Sequence, residues 1–367
     1  MAKYTKDELL HIWINSFSDI DYRQKTVYLE VLEDSESIKE SLLKSQDYLI
    51  SETGEEKFNE VLRRAEVEYL KSQIALLETN GLTAITLKSS NYPQRLKDTD
   101  EPPVCLYAKG NIDLLNDKEI VGIVGSRKSL PTCINQVKEY AEGLAKNGIT
   151  IVSGIAEGVD VSAITSALDH GGKVISVIAS GIDCLYPSAH KDVIDRVAKN
   201  GLVISEYPPK VNAKPFFFPF RNRIIAGLSD AVLIASGNAK SGVLYTAKYA
   251  TQYGRKIFAY PYARGVDSGV ACNNLIKVGE ATLTDGVDDI SSYFGKEIKR
   301  EKIKLDDLER GIVRAITDGQ THVEMIAKAV SKKPFEIAPT LSMLEIKGVI
   351  VKNGVNVYAC LRTDLEE

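Results

Sequence analysis

The apolar positions change their spacing along the chain. From about residue 5 to 79 they recur at helical intervals broken by polar turns: Leu9, Ile12, Trp13 and Ile14, then Val27, Leu29, Val31 and Leu32. A long stretch over 55–77 sets Val61, Leu62, Ala65, Tyr69, Leu70, Ile74 and Leu77 on one apolar face. This predicts a helical N-terminal domain, residues 1–79, with Trp13 in its core and His11 on a helix surface. Residues 80–118 alternate and then meet Tyr92-Pro93, Pro102-Pro103 and Lys109-Gly110, the signs of an extended connector that adds a strand or two to the main domain. From 119 to about 290, short apolar runs alternate with helical segments, which marks an α/β domain.

The α/β part opens with EIVGIVGSRKSLPTCINQVKEYAEGLAKNGITIVSGIAEGVD, residues 119–160. A strand at 120–124 precedes a tight Gly-Ser-Arg turn. Val137, Tyr140, Ala141 and Leu144 then recur at helical spacing, with Pro131 suited to the first turn and Asn147-Gly148 to the stop, and a second strand ends at Ser153-Gly154. Further strands are predicted at 174–179, 202–205, 231–235, 256–259 and 281–283, with helices at 161–168, 189–199, 222–228 and 244–252. The fold class is α/β: a Rossmann-like, doubly wound, mostly parallel sheet over residues 80–295, in which ligands sit beyond the carboxyl ends of the strands.

KEIKREKIK, residues 296–304, reads as a solvated charged linker. Residues 305–367 offer three helical segments and two β-rich arms around Asn353-Gly354, the pattern of a winged helix. Pro334 and Pro339 predict an irregular first turn for the third helix. The region around 340–347 is poor in Arg and Asn, so an auxiliary role is expected there in place of major-groove reading.

Composition narrows the classes of function. A net charge of −4 and a pI near 5.8 exclude a uniformly basic nucleic-acid coat, so any polyanion site has to be a local patch. The five cysteines are scattered without CxxC pairs, which points to neither zinc nor a disulfide framework. MAKYTKDELLHIW lacks the apolar core of a signal peptide, and no run approaches the roughly 20 apolar residues of a membrane span, so a cytoplasmic protein without membrane contact is expected.

The candidate chemistry gathers in loops on one edge of the predicted sheet. Ser126, Arg127 and Lys128 follow the first strand, with backbone N–H groups at a helix start, a hydroxyl and a guanidinium suited to a phosphate. The pattern is neither a dinucleotide fingerprint, since Gly122 and Gly125 lack the third glycine, nor a Walker loop. Ser153 and Gly154 follow the second strand, with Asp160 expected to cap the next helix. Lys191, beside His190, follows the third. SEYPPKVNAKPFFFPFRNRII then sets Phe216, Phe217, Phe218 and Phe220 beside Arg221 and Arg223, a pairing of aromatics and cations used by single-strand binders. Most of those phenylalanines are expected in the core. Ser241 and Gly242 open another helix, near Lys240 and Lys248. No paired nucleophile and base, carboxylate pair or metal cluster stands at recognisable spacing, so a binding protein with no metal, cofactor or catalytic residue is expected.

VGSR, SGIAEGVD, YPSAHK, SEYP, FPFRNRIIAGLSDAVLI and SGVLYTAKYA, in this order and spacing, resemble the DprA/Smf family of bacterial DNA-processing proteins; the similarity spans roughly residues 80–360. The resemblance implies a Rossmann-like domain that binds single-stranded DNA without sequence preference, forms a homodimer through about residues 257–276, and loads RecA recombinase in natural transformation or recombination. By motif position it makes Ser126, Arg127, Lys128, Ser153, Gly154, Lys191, Arg221, Arg223, Ser241 and Gly242 the DNA-contacting candidates. The chain departs from the family pattern at Glu157, where an Arg is usual, at Ala163-Ile164-Thr165, at Ser236-Gly237 and at Pro261-Tyr262. These changes remove positive charge near the site and alter its floor. An alternative is a nucleotide-binding sensor or a nucleotide hydrolase of the lysine-decarboxylase-like Rossmann group. The hydrolase needs a PGGxGTxxE-type loop, and the corresponding stretch, SGNAKSGVLYTA, lacks that glutamate.

Overall fold

The short apolar runs become strands buried on both faces. In the computed structural model, which describes residues 3–33, 35–296 and 304–360, these strands are β1 (Thr83–Thr86), β2 (Cys105–Gly110), β3 (Ile120–Val124), β4 (Thr150–Ser153), β5 (Val174–Ile178), β6 (Leu202–Ser205), β7 (Ala231–Ile234), β8 (Lys256–Ala259) and β9 (Thr282–Leu283). They form one sheet in the order β1-β2-β6-β5-β4-β3-β7-β8-β9. From β6 through β9 every pair is parallel. β1 and β2 form an antiparallel pair that joins β6, which is the role expected of the connector. Helices cover both faces, so β3 to β7 are buried at every position, and a continuous Val/Ile-rich run is what such a strand requires.

Strand order fixes where a ligand fits. After β3 the chain steps through β4, β5 and β6 to one side, then crosses back so that β7, β8 and β9 lie on the other side of β3. The connections leaving β3 and β7 therefore diverge, and a crevice opens between them at the carboxyl ends of the strands.

The N-terminal helices belong to the same compact unit as the sheet, residues 1–297. Trp13, Tyr28 and Phe58 are buried in a cluster that continues into Tyr107 of β2, and the Asn15 side chain donates to the carbonyls of Cys105 and Glu206 at 3.3 and 2.9 Å. Two expectations need correction. The stretch 55–77 is two helices, Glu55–Arg63 and Val67–Thr79, because the chain turns at Arg64: its carbonyl accepts from Trp13 Nε1 at 2.9 Å and its guanidinium lies over Phe17 and Tyr69. His11 is buried, with Nδ1 2.8 Å from the Asp7 carbonyl oxygen, and burial holds its pKa below the usual value.

The second unit, residues 298–367, has its own core of Ile312, Ile326, Ile337, Leu341 and Leu344. Its described elements are helices Asp307–Thr317, Val323–Ala329 and Pro334–Ile346, followed by an antiparallel hairpin of β10 (Ile350–Lys352) and β11 (Tyr358–Cys360). The third helix is continuous from Pro334, against the expected irregular start: Pro334 takes the first helical position, where a missing N–H costs nothing. Of the expected charged linker, residues 297–303 lie outside the described residues. No helix among the described residues is long and apolar enough to cross a membrane.

Candidate functional site

A cleft of about 590 Å³ lies over the crevice between β3 and β7. Its walls are the turn Gly125 to Lys128, the start of the helix Phe217–Leu228, and the loop that ends at Ser241-Gly242. The turn is close to the next βα unit because Gly125 has no side chain: a Cβ there would lie 2.4 Å from Val159 Cγ2. The turn is fixed by hydrogen bonds. The Ser126 N–H donates to Ser236 Oγ at 3.0 Å, Ser126 Oγ accepts from the Lys128 N–H at 3.1 Å, and Ser129 Oγ lies 2.6 Å from Ser236 Oγ. The helix after this turn starts only at Pro131, so the amides of 126–128 belong to a loop and not to a helix start as expected. Arg127 and Lys128 stay exposed, and the Arg127 guanidinium stands 5.1 Å from the centre of the Phe218 ring.

On the opposite wall, the helix Val243–Gln252 starts at the cleft with Gly242 as its N-cap; the Ser241 hydroxyl accepts from the Val243 N–H at 3.5 Å, and the Leu244 and Tyr245 N–H groups donate to the Ser241 and Gly242 carbonyls. Its positive end therefore faces the space beside Arg127, a favourable setting for an anion. Ser241 is half-buried and Gly242 exposed, and no heavy atom crowds a Cβ built on Gly242. Asn222 Nδ2 donates to the Gly242 carbonyl at 3.4 Å and ties this loop to the aromatic helix.

That aromatic helix begins at Phe217, five residues earlier than the sequence pattern indicates. Arg221 and Arg223 thus lie well inside it, and positions two apart on a helix point about 200° apart. Arg221, 5% exposed, lies in the cleft floor, and its Nη1 donates to the buried Val177 carbonyl of β5. Arg223 turns away into the protein, 1% exposed, and pairs with Glu206 at 2.5 Å. The four phenylalanines also divide. Only Phe217 is buried; Phe216 is 65% exposed, and Phe218 and Phe220 are half-buried, so the expectation that most are core does not hold.

The remaining expected residues are spread unequally. Ser153 is fully buried and its hydroxyl donates to the Ile123 carbonyl at 2.6 Å, so it stabilises the β3–β4 junction and does not face the cleft. Gly154 is where Arg221 and Asp160 converge: a Cβ there would lie 2.7 Å from Arg221 Nη2 and 2.3 Å from Asp160 Oδ2. Lys191 is exposed at the first position of the helix Lys191–Asn200 and does not line the cleft. The structure therefore brings Ser126, Arg127, Lys128, Arg221, Ser241 and Gly242 to one cavity, and turns Ser153 and Arg223 inward.

Asp160 is not the expected helix cap. Gly158, at φ +85°, is the N-cap of the helix Val159–Asp169, and the Asp160 carboxyl is buried in the cleft floor. Burial pushes its pKa up to about 6, against the pull of Arg221 and of the backbone N–H groups of Ala156 and Gly125. Thr246, fully buried one turn into the helix Val243–Gln252, also lines the cleft, and its hydroxyl has no hydrogen-bond partner among the described residues. The spacing of Thr246 to Ser241-Gly242 is its only trace in the sequence. Glu157 is exposed and shares a smaller cavity with Arg127 and Phe218.

Comparison with known proteins places this cleft in a family. The family model for DNA recombination-mediator protein A matches residues 83–295, which contain every cleft residue. DNA processing protein DprA of Streptococcus pneumoniae is 40% identical over 204 residues, 55% of this chain and 71% of that protein. The X-ray structure of the S. pneumoniae protein superposes with a TM-score of 0.67 at 31% identity, over 77% of this chain and 97% of that one. A structure of DNA processing protein A from Helicobacter pylori, whose title describes a single-stranded DNA binding mode, superposes with a TM-score of 0.53 at 30% identity, over 58% of this chain and 95% of that one. The chain belongs to the DNA recombination-mediator protein A family, the family of the DprA and Smf proteins.

Proposed function

We propose that the chain binds single-stranded DNA without sequence preference through the cleft over the β3–β7 crevice, and that it acts as a binding protein and not as an enzyme. The observation that carries this reading is the convergence, in one cavity, of exposed Arg127 and Lys128, the Phe218 ring beneath Arg127, and the positive end of the helix that starts at Gly242. Cations and the positive end of a helix suit a phosphate of any nucleotide, and the ring offers a π-face that every base can use. The H. pylori relative has a described single-stranded DNA binding mode.

Within this reading, the protein operates in the cytoplasm as a homodimer and hands its strand to RecA recombinase during transformation or recombination. The second unit, with three helices and a hairpin in the order of a winged helix, serves as an auxiliary contact domain. The test is a titration of a labelled mixed-sequence single strand, competed with duplex and with mononucleotides. Displacement by single strand well ahead of both supports the proposal. Displacement by a mononucleotide at similar concentration would favour the nucleotide-sensor alternative.

A further inference from the structure

A second cavity, of about 330 Å³, lies between the N-terminal helices and the aromatic helix. Its walls are aromatic: Tyr22 from the helix Tyr22–Leu32 on one side, and Tyr207, Phe216 and Phe220 on the other. Its polar lining is Lys25, bonded to Asn15, and Glu206, paired with Arg223, with Asp19 and Asp21 toward the N-terminal helices. Tyr207 stacks on Phe217 at 3.8 Å between ring centres, and Phe217 holds Phe216 edge-on at 4.7 Å. Lys214 lies over both phenylalanine rings, at 5.9 and 5.6 Å, and pairs with Asp19 at 3.0 Å, so the 65%-exposed Phe216 ring is held in place at the rim.

The two cavities share one peptide. Phe218 and Arg221 face the first, Phe216 and Phe220 the second, because residues at these offsets occupy opposite sides of the same helix start. A strand whose phosphates lie along Arg127 and Lys128 would cross that helix start with its bases toward the second cavity. A flat group with two apolar faces and one polar edge matches aromatic walls with a polar lining, and a nucleobase has that form.

We propose that the cavity bounded by Tyr22, Phe216 and Phe220 is a base-binding subsite, separate from the phosphate cleft, which takes one nucleobase of the bound strand and makes the N-terminal helices part of the DNA site. The proposal rests on the single-stranded DNA reading above. Its test compares a mixed-sequence single strand with an abasic strand of equal length and charge, on the full chain and on Phe216→Ala and Tyr22→Leu. Phe216 is exposed and Tyr22 half-buried, and they belong to different elements, so a loss common to both variants does not reflect misfolding at one site. Each variant is expected to bind the base-bearing strand about ten-fold more weakly and the abasic strand as the unsubstituted protein does. Unchanged affinity for the base-bearing strand, or equal losses on both strands, would overturn the subsite and leave the phosphate cleft standing. Failure of the unsubstituted protein to bind either strand would overturn both.

Discussion

Arg221 and Arg223 stand two residues apart on one helix and serve opposite sides of the molecule: the first reaches the cleft floor beside Asp160, and the second is sealed in an ion pair with Glu206. The FRNR motif thus divides between the cleft floor and an internal strut. The Arg223–Glu206 pair joins the aromatic helix to the segment after β6, and buried Lys25 adds its charge from the N-terminal helices.

Arg223→Ala should therefore act on stability. Removing one partner of a buried pair leaves the other charge uncompensated, a loss of about 3–5 kcal/mol. Lys25 remains near Glu206, which places the expected loss at the lower end of that range. Denaturant unfolding checks this. Because Arg223 also lies 4.1 Å from the centre of the Phe220 ring, the readout is an abasic strand, which engages the phosphate cleft alone. Folded Arg223→Ala protein should retain its affinity for that strand, and a large loss of it at unchanged stability would assign Arg223 to the cleft instead.

The cleft should respond to pH through Asp160. Its folded pKa is raised, to about 6, so folding favours the neutral carboxyl more than the unfolded chain does; the stability this brings is fully present below the unfolded-state pKa and is lost as pH rises through about 6. Protonation also removes a negative charge beside Arg221. DNA affinity should rise roughly five-fold, about 1 kcal/mol, as pH falls from about 7.5 to about 5.5. Asp160→Asn should bind at the higher pH as the unsubstituted protein does at the lower, with a flatter profile. A profile unchanged by the substitution would remove Asp160 from the account.

Glu157 lies in the cavity beside Arg127 and carries the wrong charge for a polyanion. Because it is exposed, Glu157→Arg should be tolerated, tighten binding several-fold at low salt and add to the salt slope by about 0.7 for each new phosphate contact. Binding measured at several salt concentrations checks both effects, and weaker binding would mean that DNA does not pass this side of the cleft.

How much of this was legible depended on what each residue's neighbours in sequence reveal. The parallel strands were visible because burial on both faces leaves an unbroken apolar run, as in IVGIV of β3. The cleft loops were visible because each follows such a run. The start of the aromatic helix was not, since Pro215, Pro219 and four phenylalanines look like an extended loop; Pro219, however, lies in the first turn, where proline is tolerated. Five missing helical residues then misdirected Arg223. Asp160 looked like a cap because it precedes an apolar helix. The cap is Gly158, and the Asp160 carboxyl is buried by contacts from Gly125, Ala156 and Arg221 that only the tertiary fold assembles. His11 was likewise misplaced, since its burial comes from other elements.

Phosphate binding by the cleft is tested by fluorescence anisotropy of one labelled single strand, at several salt concentrations, with the unsubstituted protein and with Arg127→Ala. Arg127 is exposed and accepts substitution without loss of core packing. The expected result is weaker binding by a similar factor for unrelated sequences, with a salt slope shallower by about 0.7. Equal affinity and equal slope in the two proteins would contradict the account.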